Sequence, residues 1–122
     1  MRPRHHLVPV LLLAAALLAG CADNRGGRND ATSDPPATGT TTVIAKDLRF
    51  TPAAIQVTAG TKVTWAFQDG QVPHDVKGDG WDSGEPQQSG TLARTFQQPG
   101  TYDYVCTLHP QMTGRVMVTA KP

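Results

Sequence analysis

The chain has 122 residues and a formal net charge of +1, from 11 basic and 10 acidic side chains. Residues 40–122 balance seven basic against seven acidic side chains, so the positive balance belongs to the N-terminal segment. No basic cluster is interleaved with aromatic residues, which excludes a nucleic-acid-binding pattern. Residues 40–122 are long enough for one small hydrophobic core and no second domain.

The first 20 residues have the proportions of an export signal. Arg2 and Arg4 precede an apolar stretch, residues 7–19, which is broken only by Pro9. That stretch is too short to span a bilayer comfortably. We therefore expect residues 1–20 to be a signal peptide and no part of the fold.

The signal ends at a cysteine. Leu18-Ala19-Gly20-Cys21 resembles the lipobox of bacterial lipoproteins, in which the cysteine becomes the lipidated N-terminus of the mature chain. The resemblance implies several acyl chains on Cys21, enough for stable anchoring at the outer face of the cell membrane or in the periplasm. The alternative is an ordinary signal peptide, with Cys21 as a bystander.

Residues 21–39 predict a flexible linker. After Cys21 they are rich in Gly, Asn, Asp, Thr, Ser and Pro and contain no aliphatic side chain larger than Ala. Such a segment buries too little apolar surface to offset its ordering entropy. We expect it to tether the domain of residues 40–122 to the membrane.

The sequence of the domain indicates short strands separated by turns that contain Gly, Pro and Asp. Alternation and β-rich composition predict strands at residues 41–45, 55–57, 62–67, 74–77, 91–96, 101–106 and 115–119. No stretch has a convincing helical period. The pattern predicts an all-β fold, an antiparallel Greek-key β-sandwich of about seven to eight strands.

The strand that ends at Cys106 has a defined inner face. With a period of two, Tyr102, Tyr104 and Cys106 share one face, whereas Asp103 and Val105 share the other. The tyrosine pair favours the first face for the core. Cys106 is therefore expected inside the fold, at the end of its strand.

Sulfur and imidazole groups cluster around this cysteine. Cys106, His109 and Met112 stand three residues apart, and His74 lies 32 residues before Cys106. Each residue alone is usually structural, but a His₂Cys set with a weak axial Met is typical of blue copper electron-transfer sites. The combination predicts one copper ion, cycling between Cu(II) and Cu(I).

The cysteine count agrees with this interpretation. If Cys21 carries lipid, Cys106 is an unpaired thiol in an exported protein, where cysteines usually form disulfides. Metal ligation explains the unpaired thiol. The alternative is a Cys21–Cys106 disulfide, which would abolish both lipidation and the copper site.

Over residues 40–122 the chain resembles a cupredoxin, the blue copper family that includes plastocyanin, pseudoazurin and amicyanin. The matching stretches are residues 50–52, 55–57, 60–65, 73–76, 82–84, 90–92, 96, 100–106, 109–112 and 114–118. The resemblance implies His74, Cys106 and His109 as equatorial copper ligands and Met112 as the long axial ligand.

One residue departs from the family pattern. Many cupredoxins carry Asn directly after the first ligand histidine, where it braces the cysteine loop, and here that position is Asp75. An ionised carboxylate accepts hydrogen bonds, from the Thr107 hydroxyl or a backbone N–H, but cannot donate them. Its negative charge near copper would favour Cu(II).

The resemblance also implies an electron port at the surface. The ring edge of His109 is expected to reach solvent among the apolar residues Pro73, Leu108, Pro110 and Met112. We expect a monomer that exchanges electrons with redox proteins, whether a cytochrome, an oxidase, a reductase or a dehydrogenase.

Other functions fit the residues less well. Multicopper oxidases often flank the copper cysteine with histidines, but the neighbours here are Val105 and Thr107, so we expect no enzyme. A CuA centre needs two cysteines in its ligand loop, whereas this loop contains only Cys106. Zinc binds Cys and His well, but the methionine argues against it as the native metal. A copper carrier that delivers the ion, without an electron-shuttle role, remains the alternative.

Overall fold

The computed structural model describes residues 35–122, so the predicted signal peptide, Cys21 and most of the predicted linker lie outside the described residues. Within this range the chain forms ten strands, and no helix there could cross a membrane. The strands are β1 (Ala37–Thr38), β2 (Thr42–Lys46), β3 (Arg49–Thr51), β4 (Ala54–Thr58), β5 (Thr61–Gln68), β6 (Lys77–Gly78), β7 (Trp81–Asp82), β8 (Ser89–Phe96), β9 (Gly100–Cys106) and β10 (His109–Thr119).

The strands form two sheets. One has the order β1-β4-β10-β9-β6-β7 and the other the order β3-β2-β5-β8. The all-β sandwich is confirmed, but ten strands exceed the seven to eight predicted, because β1, β3 and β7 have only two or three residues each and are too short to show alternation. The pairs β1–β4, β4–β10 and β2–β5 are parallel, so the sandwich is not purely antiparallel. Alternation gives the face of a residue and carries no information on strand direction.

Two predicted boundaries near the candidate site are wrong. Of the strand predicted at residues 74–77, only Lys77 lies in a strand, as the first residue of β6, and His74 forms an isolated bridge to Gln87. Val76 donates its N–H to the Ser83 side chain, so this backbone does not continue a ladder. In contrast, residues 109–114, which lie outside the predicted strands, form the first half of β10, with a shift in register between His109 and Thr113.

The folded part begins before residue 40. Ala37 and Thr38 pair in parallel with Ile55 and Gln56 of β4. These two residues belong to the segment that composition assigned to the linker. A strand of two residues pairs through its backbone, which a polar composition does not prevent.

The core follows the predicted alternation. Val63, Trp65 and Phe67 of β5 point inward and are buried, as are Val116 and Val118 of β10. The core cluster also contains Val43, Ala45, Phe50, Ile55, Val57, Val76, Phe96, Tyr104, Cys106 and Met112. Cys106 and Met112 therefore belong to the packed interior.

Candidate metal centre

A hairpin places Cys106 opposite His109. Strand β9 ends at Cys106, Thr107 and Leu108 make the turn, and β10 begins at His109, which pairs with Cys106 across the ladder. The Cys106 Sγ atom lies 3.5 Å from His109 Nδ1. Two of the four predicted ligands thus face each other across the end of one hairpin.

His74 reaches the same point from the loop between β5 and β6. Its backbone N–H donates to the carbonyl of Gln87 at 3.0 Å, and its carbonyl accepts from the Gln87 N–H at 2.8 Å. The buried ring directs Nδ1 to within 4.0 Å of Cys106 Sγ. The ligand atoms of His74, Cys106 and His109 all lie within 4.8 Å of one another.

Met112 is the fourth predicted ligand. It lies on β10 where the register shifts, and its side chain is only 1% exposed. Along β10 the buried positions alternate from Met112 through Gly114 and Val116 to Val118. Met112 therefore faces the interior, on the same side as Cys106.

The donor set fits a copper ion. Ligand atoms about 2.0–2.3 Å from a shared ion in a trigonal arrangement stand roughly 3.5–4 Å apart. The two Sγ–Nδ1 separations, 3.5 Å and 4.0 Å, fall within that range. Thiolate, thioether and imidazole donors are ligands of copper and zinc, whereas hard cations take oxygen.

Burial raises the pKa of the Cys106 thiol, and the nearby charge of Asp75 adds to this effect. In the metal-free protein the thiol is therefore held neutral. Because thiolate is the ligand form, metal binding must release this proton.

Asp75 connects the His74 loop to the hairpin. Its side chain is buried, at 7% exposure, and its carboxylate accepts hydrogen bonds from the backbone N–H of Thr107 at 2.6 Å and from the Thr107 hydroxyl. These are the two acceptor contacts that sequence reasoning considered for this carboxylate. They join the residue after His74 to the residue after Cys106.

Asp69 is a site residue that sequence reasoning missed. Its Oδ2 atom lies 3.0 Å from Nε2 of His74 and also accepts the backbone N–H of Asp47 at 3.0 Å. The hydrogen bond from His74 lowers the pKa of the Asp69 carboxyl below its ordinary value. An acidic residue five positions before a predicted ligand histidine was the available signal, since such histidines usually donate their second N–H.

The surface above the site is partly apolar. His109 and Pro73 are half-buried, whereas Pro110 is exposed and Leu108 is 47% exposed. The expectation that Met112 joins this surface is wrong, because its side chain lies on the inward face of β10.

Comparison with known proteins agrees with this geometry. The family of copper-binding proteins described as the plastocyanin/azurin family matches residues 37–119. Amicyanin-alpha of Methylorubrum extorquens is 36% identical over 117 residues, which cover 88% of this chain and 97% of that protein. The reduced Cu(I) form of an amicyanin mutant superposes with a TM-score of 0.60 at 30% identity, covering 68% of this chain and 85% of that one. An oxidised amicyanin mutant gives a TM-score of 0.60 at 27% identity, covering 66% and 83%.

The chain belongs to the plastocyanin/azurin family of copper-binding proteins, and the cupredoxin resemblance is confirmed. Its cofactor is one copper ion. His74, Cys106, His109 and Met112 are arranged like a type 1 copper site.

Proposed function

We propose that this protein is an exported, membrane-tethered blue copper protein that shuttles single electrons between redox proteins. The observation that carries the proposal is the buried cluster in which the ligand atoms of His74, Cys106 and His109 lie within 4.8 Å of one another. Solved structures of amicyanin mutants in the reduced Cu(I) and the oxidised form support a one-electron cycle in a related protein.

Each of the four residues has a distinct role in this proposal. His74, Cys106 and His109 would hold the copper ion through two imidazole nitrogens and a thiolate, and Met112 would add a weaker thioether ligand. The copper ion supplies reversible exchange between Cu(II) and Cu(I). The role of the chain is to present a thiolate, two imidazole nitrogens and a thioether in positions that need little movement between the two states.

The fold keeps the proposed copper site rigid and excludes water from it. Cys106 and His74 are 0% exposed and Met112 is 1% exposed, so water has little access to three of the four ligands. The Asp75–Thr107 contacts hold the His74 loop against the hairpin. A site held this way resists the reorganisation that slows electron transfer.

Electrons are proposed to enter and leave through His109. Its ring is the half-exposed ligand, and Pro73, Leu108 and Pro110 surround it with apolar surface. Such a surface suits brief contact with a redox protein partner, because apolar contacts form and release without desolvating charge. Because the proposed chemistry is the transfer of single electrons, the proposed partner is a redox protein, whether a cytochrome, an oxidase, a reductase or a dehydrogenase.

The same burial argues against the copper carrier. Delivery by ligand exchange requires the receiving protein to replace ligands one at a time, and only His109 is accessible for that step. Catalysis is also not proposed, since the four-residue set provides no open coordination position for a substrate.

Copper loading of the purified protein tests the proposal. Cu(II) is expected to produce an intense visible thiolate-to-copper band, and Cys106→Ser is expected to remove it. A wild-type protein without that band, or a Cys106→Ser variant that keeps it, would contradict the blue copper site. Reversible one-electron voltammetry then distinguishes the shuttle from the carrier.

The membrane tether has a separate test. We propose that Cys21 is lipidated and that the segment before Ala37 links the lipid to the domain. A Cys21→Ser variant should leave the membrane fraction of the producing cell while its copper band is unchanged. Retention of the variant in the membrane would show that another anchor is used.

A further inference from the structure

The Asp69 carboxylate joins a copper ligand to an exposed turn. Its Oδ2 atom is 3.0 Å from Nε2 of His74 and 3.0 Å from the backbone nitrogen of Asp47. The His74 ring is fully buried, whereas the Asp69 side chain is 15% exposed. On the other edge of the ring, Nδ1 lies 4.0 Å from Cys106 Sγ.

This arrangement selects one form of the imidazole. A carboxylate only accepts hydrogen bonds, so the ring nitrogen that faces Asp69 must carry the proton. A neutral ring with its proton on Nε2 leaves the lone pair of Nδ1 directed toward Cys106 and His109. We propose that Asp69 is a positioning residue, which holds His74 in the Nε2–H tautomer so that Nδ1 faces the copper site. This inference rests on the copper function proposed above and deepens it.

The backbone hydrogen bonds of His74 do not select the tautomer of its ring. Its hydrogen bonds to Gln87, at 3.0 Å and 2.8 Å, fix the main chain. They leave the rotation of the ring and the choice of tautomer open. Among residues 35–122 the hydrogen-bond partner of Nε2 is Asp69. The orientation of the His74 ring is therefore set by the side chain of Asp69, five residues earlier in the chain.

Asp69 is itself held from two sides. Its carbonyl accepts the N–H of Val72 at 2.8 Å, which fixes its backbone in a turn after β5. Its carboxylate accepts the N–H of Asp47, in the two-residue turn between β2 and β3. Asp47 and Leu48 have φ angles of 53° and 59°, the left-handed conformation that such hairpin turns require. The carboxylate is thus pre-oriented before any metal binds.

The tautomer can be measured in the copper-free protein by long-range ¹H–¹⁵N NMR of the neutral histidine rings. His74 of the wild type is expected to show a protonated Nε2 and an unprotonated Nδ1. Asp69→Ala is expected to give a mixture of tautomers and to weaken copper binding about 10–100-fold in competition with a chelator. Asp69→Asn, whose amide oxygen still accepts from Nε2, should keep the tautomer and recover most of the affinity.

Asp47→Asn is the matched control. This substitution removes the side-chain charge of residue 47, and Asn tolerates the positive φ of that position. Asp69, the hydrogen-bond partner of His74 Nε2, is unchanged. The control should change neither the tautomer nor the copper affinity. Two outcomes would overturn the inference. The first is a wild-type His74 with its proton on Nδ1, which can be observed even if Asp69→Ala does not fold. The second is a folded Asp69→Ala protein in which the His74 tautomer is unchanged. A wild type that binds no copper would instead refute the proposed function, because the copper-free tautomer is measured independently.

Discussion

The carboxylate of Asp75 accepts both the backbone N–H and the hydroxyl of Thr107, the residue that follows the copper-site cysteine. This pair links two chain segments 32 residues apart. Hydrogen bonds to an ionised group contribute about 1.5–3 kcal/mol each, more than neutral pairs. Asp75 is therefore expected to stabilise the site before copper is present.

Removing the carboxylate should destabilise the metal-free protein. Asp75→Ala is expected to lower the free energy of unfolding by about 2–4 kcal/mol in denaturant titration, because the backbone N–H and the hydroxyl of Thr107 both lose a charged, buried acceptor. Thr107→Val keeps the N–H contact and should cost less. Asp79→Ala changes an exposed carboxylate and serves as the control. Equal effects of Asp75→Ala and Asp79→Ala would show that the pair contributes nothing.

The charge of Asp75 should also affect the reduction potential. Its negative charge favours Cu(II), so Asp75→Asn, which is nearly isosteric, is expected to raise the potential of the copper-loaded protein in voltammetry. Asp79→Asn changes the net charge equally and should produce a smaller shift, since that side chain is exposed and screened by solvent. A potential that falls or stays constant in Asp75→Asn would contradict this charge effect.

Gly114 is required because of an aromatic ring on the neighbouring strand. It pairs with Tyr104, and a Cβ atom at position 114 would lie 2.1 Å from Cζ of that ring. Gly114→Ala is therefore expected to lower the free energy of unfolding by about 1–3 kcal/mol through overpacking. Gly70→Ala, where a Cβ would meet nothing within 4 Å, should change it by about 0.5 kcal/mol or less.

A double-mutant cycle identifies the ring as the cause. In the Tyr104→Leu background, Gly114→Ala should cost less than in the wild type, because the shorter side chain vacates the space above position 114. Additive losses would show that the backbone of Gly114, and not the contact with Tyr104, is the reason for glycine.

Tyr104 should make folding sensitive to alkaline pH. Burial raises the pKa of its phenol well above the ordinary value of 10.0. The unfolded chain therefore loses this proton first, so the contribution to stability is complete below about pH 10 and declines as the pH rises further. The chain has two tyrosines. In a Tyr102→Phe variant, tyrosinate absorbance should consequently appear only together with unfolding.

The matching variant provides the control for this prediction. Tyr104→Phe retains the ring and lacks the ionisable group, so its stability should depend less on pH above about 10. Ionisation of Tyr104 in a folded Tyr102→Phe protein, monitored by circular dichroism, would contradict the assigned burial effect.

Much of the fold was accessible from local sequence pattern. Alternation identified the inward faces of β5, β9 and β10 and placed Cys106 inside, because the two-residue period depends only on neighbouring residues. It failed for β1, β3 and β7, because two or three residues are too few to show a period. It also failed for the first half of β10, where Pro110 resembles a loop residue although the strand continues past a shift in register.

The sequence by itself determined the chemical identity of the site, since His74, Cys106, His109 and Met112 carry the donor atoms regardless of their arrangement. Only the tertiary structure decided what supports them. Asp69 contacts both His74 and a turn 22 residues earlier, and three strand pairs run parallel between distant segments. Contacts between residues far apart in the chain depend on how the two sheets close over a shared core. Local composition and spacing do not encode that closure.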